Sequence, residues 1–149
     1  MAGILVREAV AGDLDAVHAL YRQLYAELDL PLDDRVRRQW ADTLGTPRRA
    51  MLVAELDGRA VGTADVTLMA NAARARPYLL VENVVVAEAH RGAGIGRALL
   101  DTARERARAA GCYKLQLSAT DDPAYAFYEA AGMRQDGRTY KDFFPDGAG

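Results

Sequence analysis

The chain has 149 residues, half of them hydrophobic and about a quarter charged, with a formal net charge of −2. This length predicts a single domain over residues 1–149 with a sizeable core, and the composition is that of an ordinary globular protein. The slightly negative charge argues against general binding to nucleic acid or to an anionic membrane, and no apolar run reaches the roughly 18 residues of a membrane span.

The cysteine and histidine content limits two further kinds of chemistry. Cys112 is the only cysteine, so the chain cannot form an intramolecular disulfide, and we expect a cytoplasmic location. His18 and His90 are the only histidines, which predicts that the chain holds no transition metal.

The periodicity of apolar residues separates the predicted strands from the predicted helices. Strands are predicted over residues 4–8, 51–56, 60–68, 78–86, 112–118 and 138–144. Helices are predicted over residues 13–28, with Asp13 as N-cap, and over 34–44, 95–110 and 123–131. The Asp-Gly pair at 57–58 predicts a tight hairpin between the second and third strands. The strand-helix-strand unit from 78 to 118 should be right-handed with parallel strands, which gives an α+β domain with a mixed sheet.

The stretch from Leu79 to Leu100 combines a predicted buried strand, a glycine-rich loop and the start of a helix. Gly92, Gly94 and Gly96 allow backbone N–H groups to converge on a phosphate, and the N-terminus of the helix adds a partial positive charge. The spacing does not fit G-x-G-x-x-G, because Leu99 takes the place of the last glycine. It also does not fit the nucleoside-triphosphate loop, which needs a lysine after its last glycine. The loop therefore predicts an anion site of another class.

Two motifs resemble those of a known enzyme family. Residues 91–96, RGAGIG, match the pattern (Q/R)-x-x-G-x-(G/A) and resemble motif A of the GNAT superfamily of N-acetyltransferases. Residues 124–133, AYAFYEAAGM, resemble motif B of the same superfamily, A-x-x-(F/L)-Y-E-x-x-G-(F/M). The motifs stand in the family's order with a predicted strand between them. The resemblance implies a GNAT fold, with a central, mostly antiparallel mixed sheet, a splayed parallel strand pair and flanking helices.

The resemblance also implies that acetyl-CoA binds in the gap between the splayed strands. Backbone groups of the strand that ends at residue 86 would hold the pantetheine arm, and amides of the glycine loop would hold the pyrophosphate. The residues assigned to coenzyme A in this way are Val84, Val85, Val86, Arg91, Gly92, Ala93, Gly94, Ile95, Gly96, Arg97, Asp121 and Tyr128. The valine side chains can equally be core. Asp121 stands where the family often has asparagine, and a helix N-cap is its alternative role.

Tyr128 and Glu82 are the predicted catalytic residues. The resemblance implies that Tyr128 protonates the departing thiolate of CoA, and its alternative role is to pack the last helix on the sheet. Glu82 interrupts an apolar strand, where a buried carboxylate is costly unless it is paired. The resemblance implies that it is the base for the incoming ammonium group, and the alternatives are an ion pair with an arginine of the first helices or a contact with loop 69–77. Asn83 points to the opposite face of a regular strand, which a β-bulge would change.

The resemblance therefore predicts an acetyl-CoA-dependent N-acetyltransferase that acetylates a primary amine of a small molecule by direct attack in a ternary complex. Acetylation of a protein lysine or N-terminus, or acyl-CoA sensing without catalysis, are the alternatives. Aromatic and acidic residues of the first helices are candidates to receive a cationic amine. They are Tyr21, Tyr25, Glu27, Asp29, Asp33, Asp34 and Trp40. Because many relatives have one more strand after Phe144, we expect a homodimer that completes the sheet edge, with exchange of strand 138–144 left open.

Overall fold

The computed structural model describes residues 3–145, which divide into two compact units with their boundary between Leu117 and Ser118. The strands of the first unit are β1 (Ile4–Glu8), β2 (Arg49–Leu56), β3 (Arg59–Met69), β4 (Tyr78–Val86) and β5 (Leu115–Leu117). Its helices are α1 (Leu14–Leu24), α2 (Asp34–Leu44) and α3 (Ile95–Ala109). The second unit contains α4 (Asp122–Ala130). No helix within these described residues has the length and apolar character needed to cross a membrane.

The strands of the first unit form one sheet in the order β1-β2-β3-β4-β5. Neighbouring strands are antiparallel from β1 to β4, and β4 pairs with β5 in parallel. Asp57 and Gly58, between β2 and β3, have φ angles of 54° and 76°, as a tight hairpin turn of this type requires. The predicted α+β class and the mixed, mostly antiparallel sheet are therefore confirmed.

Alternation along β2 separates two hydrophobic clusters. Leu52 packs in the cluster that contains Leu99 of α3, whereas Val53 packs with Val17 of α1 and Trp40 of α2. Because successive residues of a strand point to opposite faces, α3 covers one face of the sheet, and α1 and α2 cover the other. We call this second face the α1 face.

β4 contains a β-bulge on its way across the sheet. The register with β3 shifts between Thr63 and Asp65, which gives β4 one extra residue. Asn83 has a φ angle of 51° at this point, a left-handed conformation that is uncommon for residues other than glycine. The bulge places the Asn83 side chain on the α1 face, where its amide donates to Asp65, on the same face as Glu82.

β5 pairs with only the first part of β4. The parallel register runs from Leu79 with Leu115 to Val81 with Leu117. β4 continues to Val86, beyond its last β5 pair in the described sheet. The strand pair that the resemblance implies is thus present, and it leaves one edge of the second half of β4 without a β5 partner.

Two elements of the first unit are shorter than predicted by more than one residue. The first helix begins with a 3-10 turn at Ala11–Asp13 and ends at Leu24 instead of residue 28, because Tyr25 leaves helical geometry with φ −116° and ψ 52°. β5 covers three residues instead of 112–118 because the chain first has to close α3. Gly111 has a φ of 74°, and the Cys112 N–H donates to the carbonyl of Ala107 at 2.9 Å, so these residues cap the helix.

The predicted strand 138–144 is wrong, because the structure gives this segment no strand conformation. Tyr140, Phe143 and Phe144 are 86%, 81% and 78% exposed. Their apolar character matches a strand, but a strand forms only where a neighbour satisfies its backbone groups. The second unit provides no such neighbour among its described residues.

Candidate active site

The loop before α3 forms an open cradle of backbone amides. Gly92 and Gly94 have φ angles of 82° and 86°, which glycine adopts without strain. A Cβ atom at Gly92 would meet nothing within 4 Å, so that glycine is needed for its conformation and not for space. Gly94 is the N-cap of α3, no side chain caps the helix there, and its first turn has no acidic residue. The first amides of α3 are therefore suited to an anion, which the positive end of the helix also favours.

The residues around the cradle divide into exposed and buried ones. Arg91 and Ala93 are exposed, and Gly96 lies in the first turn of α3. Ile95 is 1% exposed, so its side chain belongs to the core and only its backbone can contribute to the cradle. Arg97 is exposed, and its Nε donates to the Asp101 carboxylate one turn later at 3.1 Å.

The backbone of β4 alternates between the sheet and the open edge. The Ala87 N–H donates to the Val61 carbonyl at 2.7 Å, so Ala87 and Val61 form a hydrogen-bonded pair where β4 ends beside β3. Hydrogen-bonded and non-hydrogen-bonded pairs alternate along antiparallel strands, so the next hydrogen-bonded pair contains Val85 and Thr63. The N–H and C=O groups of Val86, and of Val84 two residues earlier, therefore point toward the edge that β5 leaves unpaired. The side chains of Val84 and Val86 pack against the hydrophobic cluster that contains Leu99 of α3. Each valine can therefore fill the core with its side chain while its backbone groups stay accessible at the open edge.

Glu82 is exposed on the α1 face, so the expectation that its carboxylate would be buried is wrong. Among the described residues it has no ion pair with an arginine of the first helices and no hydrogen bond to loop 69–77. Burial and the negative charge of Glu82 together raise the pKa of the Tyr25 phenol.

A buried polar network that the sequence interpretation missed lies beside Glu82. The Asp65 carboxylate, whose side chain is 3% exposed, accepts from Nη2 of Arg49 at 2.8 Å and from Nδ2 of Asn83 at 3.1 Å. The Tyr21 hydroxyl approaches the same carboxylate at 3.4 Å, and burial together with the Asp65 charge raises the pKa of Tyr21. The signal that predicts Asp65 is the same one that predicts Glu82, a lone carboxylate in an apolar strand.

The network continues from Asp65 to the end of α1. Asn83 donates to Asp65 through its amide nitrogen and accepts from the Tyr25 hydroxyl through its amide oxygen. At the Arg49 end of the network, Nε of Arg49 and Oγ1 of Thr67, its register partner, are buried and have no hydrogen-bond partner among the described residues. Buried polar atoms of this kind often bind an ordered water molecule.

Of the seven aromatic and acidic candidates for receiving an amine, Tyr21 and Tyr25 join this network. The other five have different positions: Trp40 lies in the core, Asp33 caps the first turn of α2, Asp34 pairs with Arg37 on the surface, and Glu27 and Asp29 are exposed. Within residues 3–145 no three His, Cys, Asp or Glu side chains gather as they would around a metal ion.

The second unit contains the two remaining predicted site residues, both associated with α4. Asp121 accepts from the Ala124 N–H at 2.9 Å, which confirms its alternative role as the N-cap. Tyr128 is half-buried, with its ring edge to face against Phe127 at 5.0 Å between centroids. Burial and the Asp121 charge raise the pKa of Tyr128, so its phenol keeps its proton at neutral pH. Such a group can act as a proton donor and not as a base.

Comparisons with known proteins show the family to which the chain belongs. The sequence model of the Acetyltransferase (GNAT) family matches residues 14–133. The chain is 37% identical over 93 residues to glucosamine 6-phosphate N-acetyltransferase of Trypanosoma brucei brucei, covering 58% of this chain and 63% of that enzyme. It is 30% identical over 135 residues to aminoglycoside N(6')-acetyltransferase type 1 of Stenotrophomonas maltophilia, covering 87% of this chain and 86% of that enzyme.

Among solved structures, a putative acetyltransferase from Agrobacterium tumefaciens str. C58 superposes with a TM-score of 0.87. The two sequences are 36% identical, and the match covers 94% of this chain and 99% of the other. The chain therefore belongs to the acetyltransferase (GNAT) family, and its relatives identify it as an N-acetyltransferase.

Proposed function

We propose that this protein uses acetyl-CoA to acetylate the primary amine of a small molecule. The observation that carries the proposal is the amide cradle at the start of α3, which is the next α-helix after the strand with the unpaired edge. Two relatives act, by their names, on glucosamine 6-phosphate and on aminoglycosides, which are both amine-bearing sugars. A small amino compound is therefore the acceptor class that we favour over a protein.

The residues of the first unit fit coenzyme A. Backbone amides from Gly92 through Arg97 would hold the pyrophosphate, because this part of the chain offers donors without a side-chain cap or an acidic neighbour. Backbone groups of Val84 and Val86 would hold the amide-bearing pantetheine arm as an added strand would, and would polarise the thioester carbonyl. When bound, acetyl-CoA supplies a thioester that the acceptor amine attacks directly in a ternary complex.

Glu82 is the proposed base. An amine is protonated at neutral pH and has to lose a proton before its nitrogen can attack. An exposed carboxylate on the α1 face can accept that proton, either directly or through water, and can release it to solvent afterwards. The exposure of Glu82 thus suits proton exchange better than the buried position that the sequence predicts.

Tyr128 is the proposed acid. Cleavage of the carbon–sulfur bond leaves a thiolate, which a phenol can protonate as it departs. The raised pKa of Tyr128 keeps that proton available at neutral pH. Asp121 has its side chain engaged as a helix cap, so we assign it no direct contact with the cofactor.

The test measures CoA release from acetyl-CoA in the presence of one of three acceptors. Two are amino sugars, glucosamine 6-phosphate and the aminoglycoside sisomicin, and the third is a lysine-containing peptide. We expect turnover with an amino sugar and none with the peptide. Acetyl-CoA alone should raise the melting temperature, since a ligand that binds only the folded state stabilises it. Turnover with the peptide alone would replace the small-molecule assignment, and an unchanged melting temperature would contradict the assignment of acetyl-CoA.

A homodimer and a cytoplasmic location stay predictions. The exposed aromatic side chains of Tyr140, Phe143 and Phe144 support the dimer, since an accumulation of large exposed apolar groups in one short segment is typical of an interaction surface. Light scattering at micromolar protein concentration tests it, and a monomeric mass would contradict it.

A further inference from the structure

The network around Asp65 has a fixed direction of hydrogen bonding. Asp65 forms an ion pair with Arg49 at 2.8 Å, and an ionised carboxylate only accepts hydrogen bonds. Asn83 must therefore turn its NH₂ group toward Asp65, which points its carbonyl oxygen toward Tyr25. A carbonyl oxygen also only accepts, so the Tyr25 hydroxyl has to donate its single proton to Asn83.

This direction determines what Tyr25 can offer to a ligand. With its proton committed to Asn83, the phenol oxygen presents only lone pairs in other directions. Tyr25 is 36% exposed, and Glu82, which precedes Asn83 in the chain, is exposed on the same face of the sheet. The Tyr25 hydroxyl donates to Asn83, the residue that follows Glu82, so the Tyr25 and Glu82 side chains are neighbours on this face. The accessible polar atoms here are thus two acceptors, one neutral and one anionic.

We propose that the Tyr25 oxygen and the Glu82 carboxylate form a subsite for a primary ammonium group, and that Asp65 and Asn83 are positioning residues that hold Tyr25 in its accepting state. The inference rests on the proposed function, because it names the place where the acceptor's amino group binds before it loses its proton. An ammonium group carries only donors, so it matches a pair of acceptors and an alcohol of the same size matches it less well.

Asp65→Asn is the decisive substitution. An asparagine at position 65 can donate as well as accept, so Asn83 is no longer forced to turn its NH₂ group inward. Asn83 can then rotate its amide and donate to Tyr25, whose proton would point out of the network toward the ligand. The subsite would lose its selectivity for an ammonium group although every side chain keeps its size.

The test is a titration of full-length protein containing isotope-labelled tyrosine with n-butylammonium chloride, followed by the NMR signal of Tyr25. The Tyr25→Phe variant identifies that signal. We expect a saturable shift with n-butylammonium and none with n-butanol. Asp65→Asn should weaken the apparent Kd by roughly tenfold or more, as expected for loss of one hydrogen bond to a charged group. Asn83→Gly accepts the left-handed backbone and removes the amide, and it should weaken binding to a similar extent.

The matched control is Asp13→Asn. It makes the same chemical change at another carboxylate that pairs with an arginine, Arg7, but Asp13 has no contact with the Asp65 network. Its Kd for n-butylammonium should equal that of the unmodified protein. Loss of folding in Asp65→Asn would show in its melting curve. In that case the Kd of Asn83→Gly for n-butylammonium tests the role of the network.

Two results would overturn the inference: the absence of a saturable shift in the unmodified protein, or an unchanged Kd in both network variants. Neither depends on acetyl-CoA. A protein that releases CoA with an amino sugar but fails this titration keeps its proposed function and loses the ammonium subsite. A protein that binds n-butylammonium in a way that depends on the Asp65 network, but releases no CoA, keeps the ammonium subsite and loses the proposed function.

Discussion

Gly62 of β3 lies beneath the first turn of α3, where a side chain has no room. A Cβ atom at this position would lie 2.8 Å from Cγ2 of Ile95 and 3.2 Å from Cδ1 of Leu99. The first distance is shorter than any normal contact between carbon atoms, so one of the two groups has to move. Ile95 is 1% exposed and branched at Cβ, and such a side chain has one strongly preferred rotamer in a helix. Gly62→Ala should therefore push the start of α3 away from the sheet.

The expected cost follows from this contact. Adding a methyl group to a well-packed core typically costs about 1–3 kcal/mol, and in a domain of this length each kcal/mol lowers the melting temperature by roughly 2–4 °C. We therefore expect Gly62→Ala to melt roughly 2–12 °C below the unmodified protein. Because the Ile95 backbone is part of the amide cradle, affinity for acetyl-CoA should fall as well.

Thermal unfolding with and without acetyl-CoA measures both effects. Gly12→Ala is the matched control, since a Cβ atom there would meet nothing within 4 Å. Ile95→Leu removes the Cγ2 branch, so the double variant Gly62→Ala/Ile95→Leu should be more stable than the sum of the two single changes predicts. Strict additivity, or a Gly62→Ala protein that melts and binds acetyl-CoA like the unmodified one, would refute the reasoning.

Three further substitutions test individual contacts. Tyr128→Phe should lower kcat by roughly 10²–10⁴-fold and leave the Kd for acetyl-CoA nearly unchanged, because a general acid acts only as the bond breaks; steady-state kinetics with an amino sugar measures this, and equal kcat would remove the assigned role. Asp13→Asn should lower the free energy of unfolding at pH 7 by about 1.5–3 kcal/mol. Hydrogen bonds from Arg7 hold the pKa of Asp13 below its ordinary value of 3.8, so the stabilisation is complete above that value and is lost as the pH falls through the lower folded-state pKa. Urea unfolding at a series of pH values checks this, and a difference that persists in strong acid would contradict it. Asp121→Ala removes the cap of α4 and should cost about 1 kcal/mol, with Asp122→Ala as the neighbouring control for charge; equal stability of the two variants would argue against the cap.

Elements with a local chemical signal were predictable from the sequence. The bounds 34–44 of α2 and 78–86 of β4 agree with the structure, and so does the Asp-Gly turn between β2 and β3. For α2 and for the turn, the deciding factor is a property of a few neighbouring residues, namely the capping side chain of Asp33 and the positive φ angles of Asp57 and Gly58. The segment 138–144 shows the opposite case, since whether an apolar run becomes a strand depends on a partner elsewhere in the chain.

The bulge in β4 could be considered from the sequence but not located in it. A residue in a left-handed conformation other than glycine costs free energy, which surrounding contacts have to offset. At Asn83 those contacts are hydrogen bonds with Asp65 and Tyr25, which lie in two other elements of the fold. Only the assembled sheet and helix reveal that this strain is supported, and that it turns Asn83 to the α1 face.

Asp65 and Glu82 are register partners on the same face of the sheet, yet one is buried and the other exposed. The difference comes from where α1 ends. Tyr21, inside the helix, contacts Asp65, whereas Tyr25, the first residue past its end, reaches Asn83. Because the helix ends there, before the residue 28 that apolar periodicity predicts, Glu82 stays uncovered. The sequence offers the same signal for both carboxylates, and the length of α1 separates them into one that can hold a network in place and one that can exchange a proton with solvent.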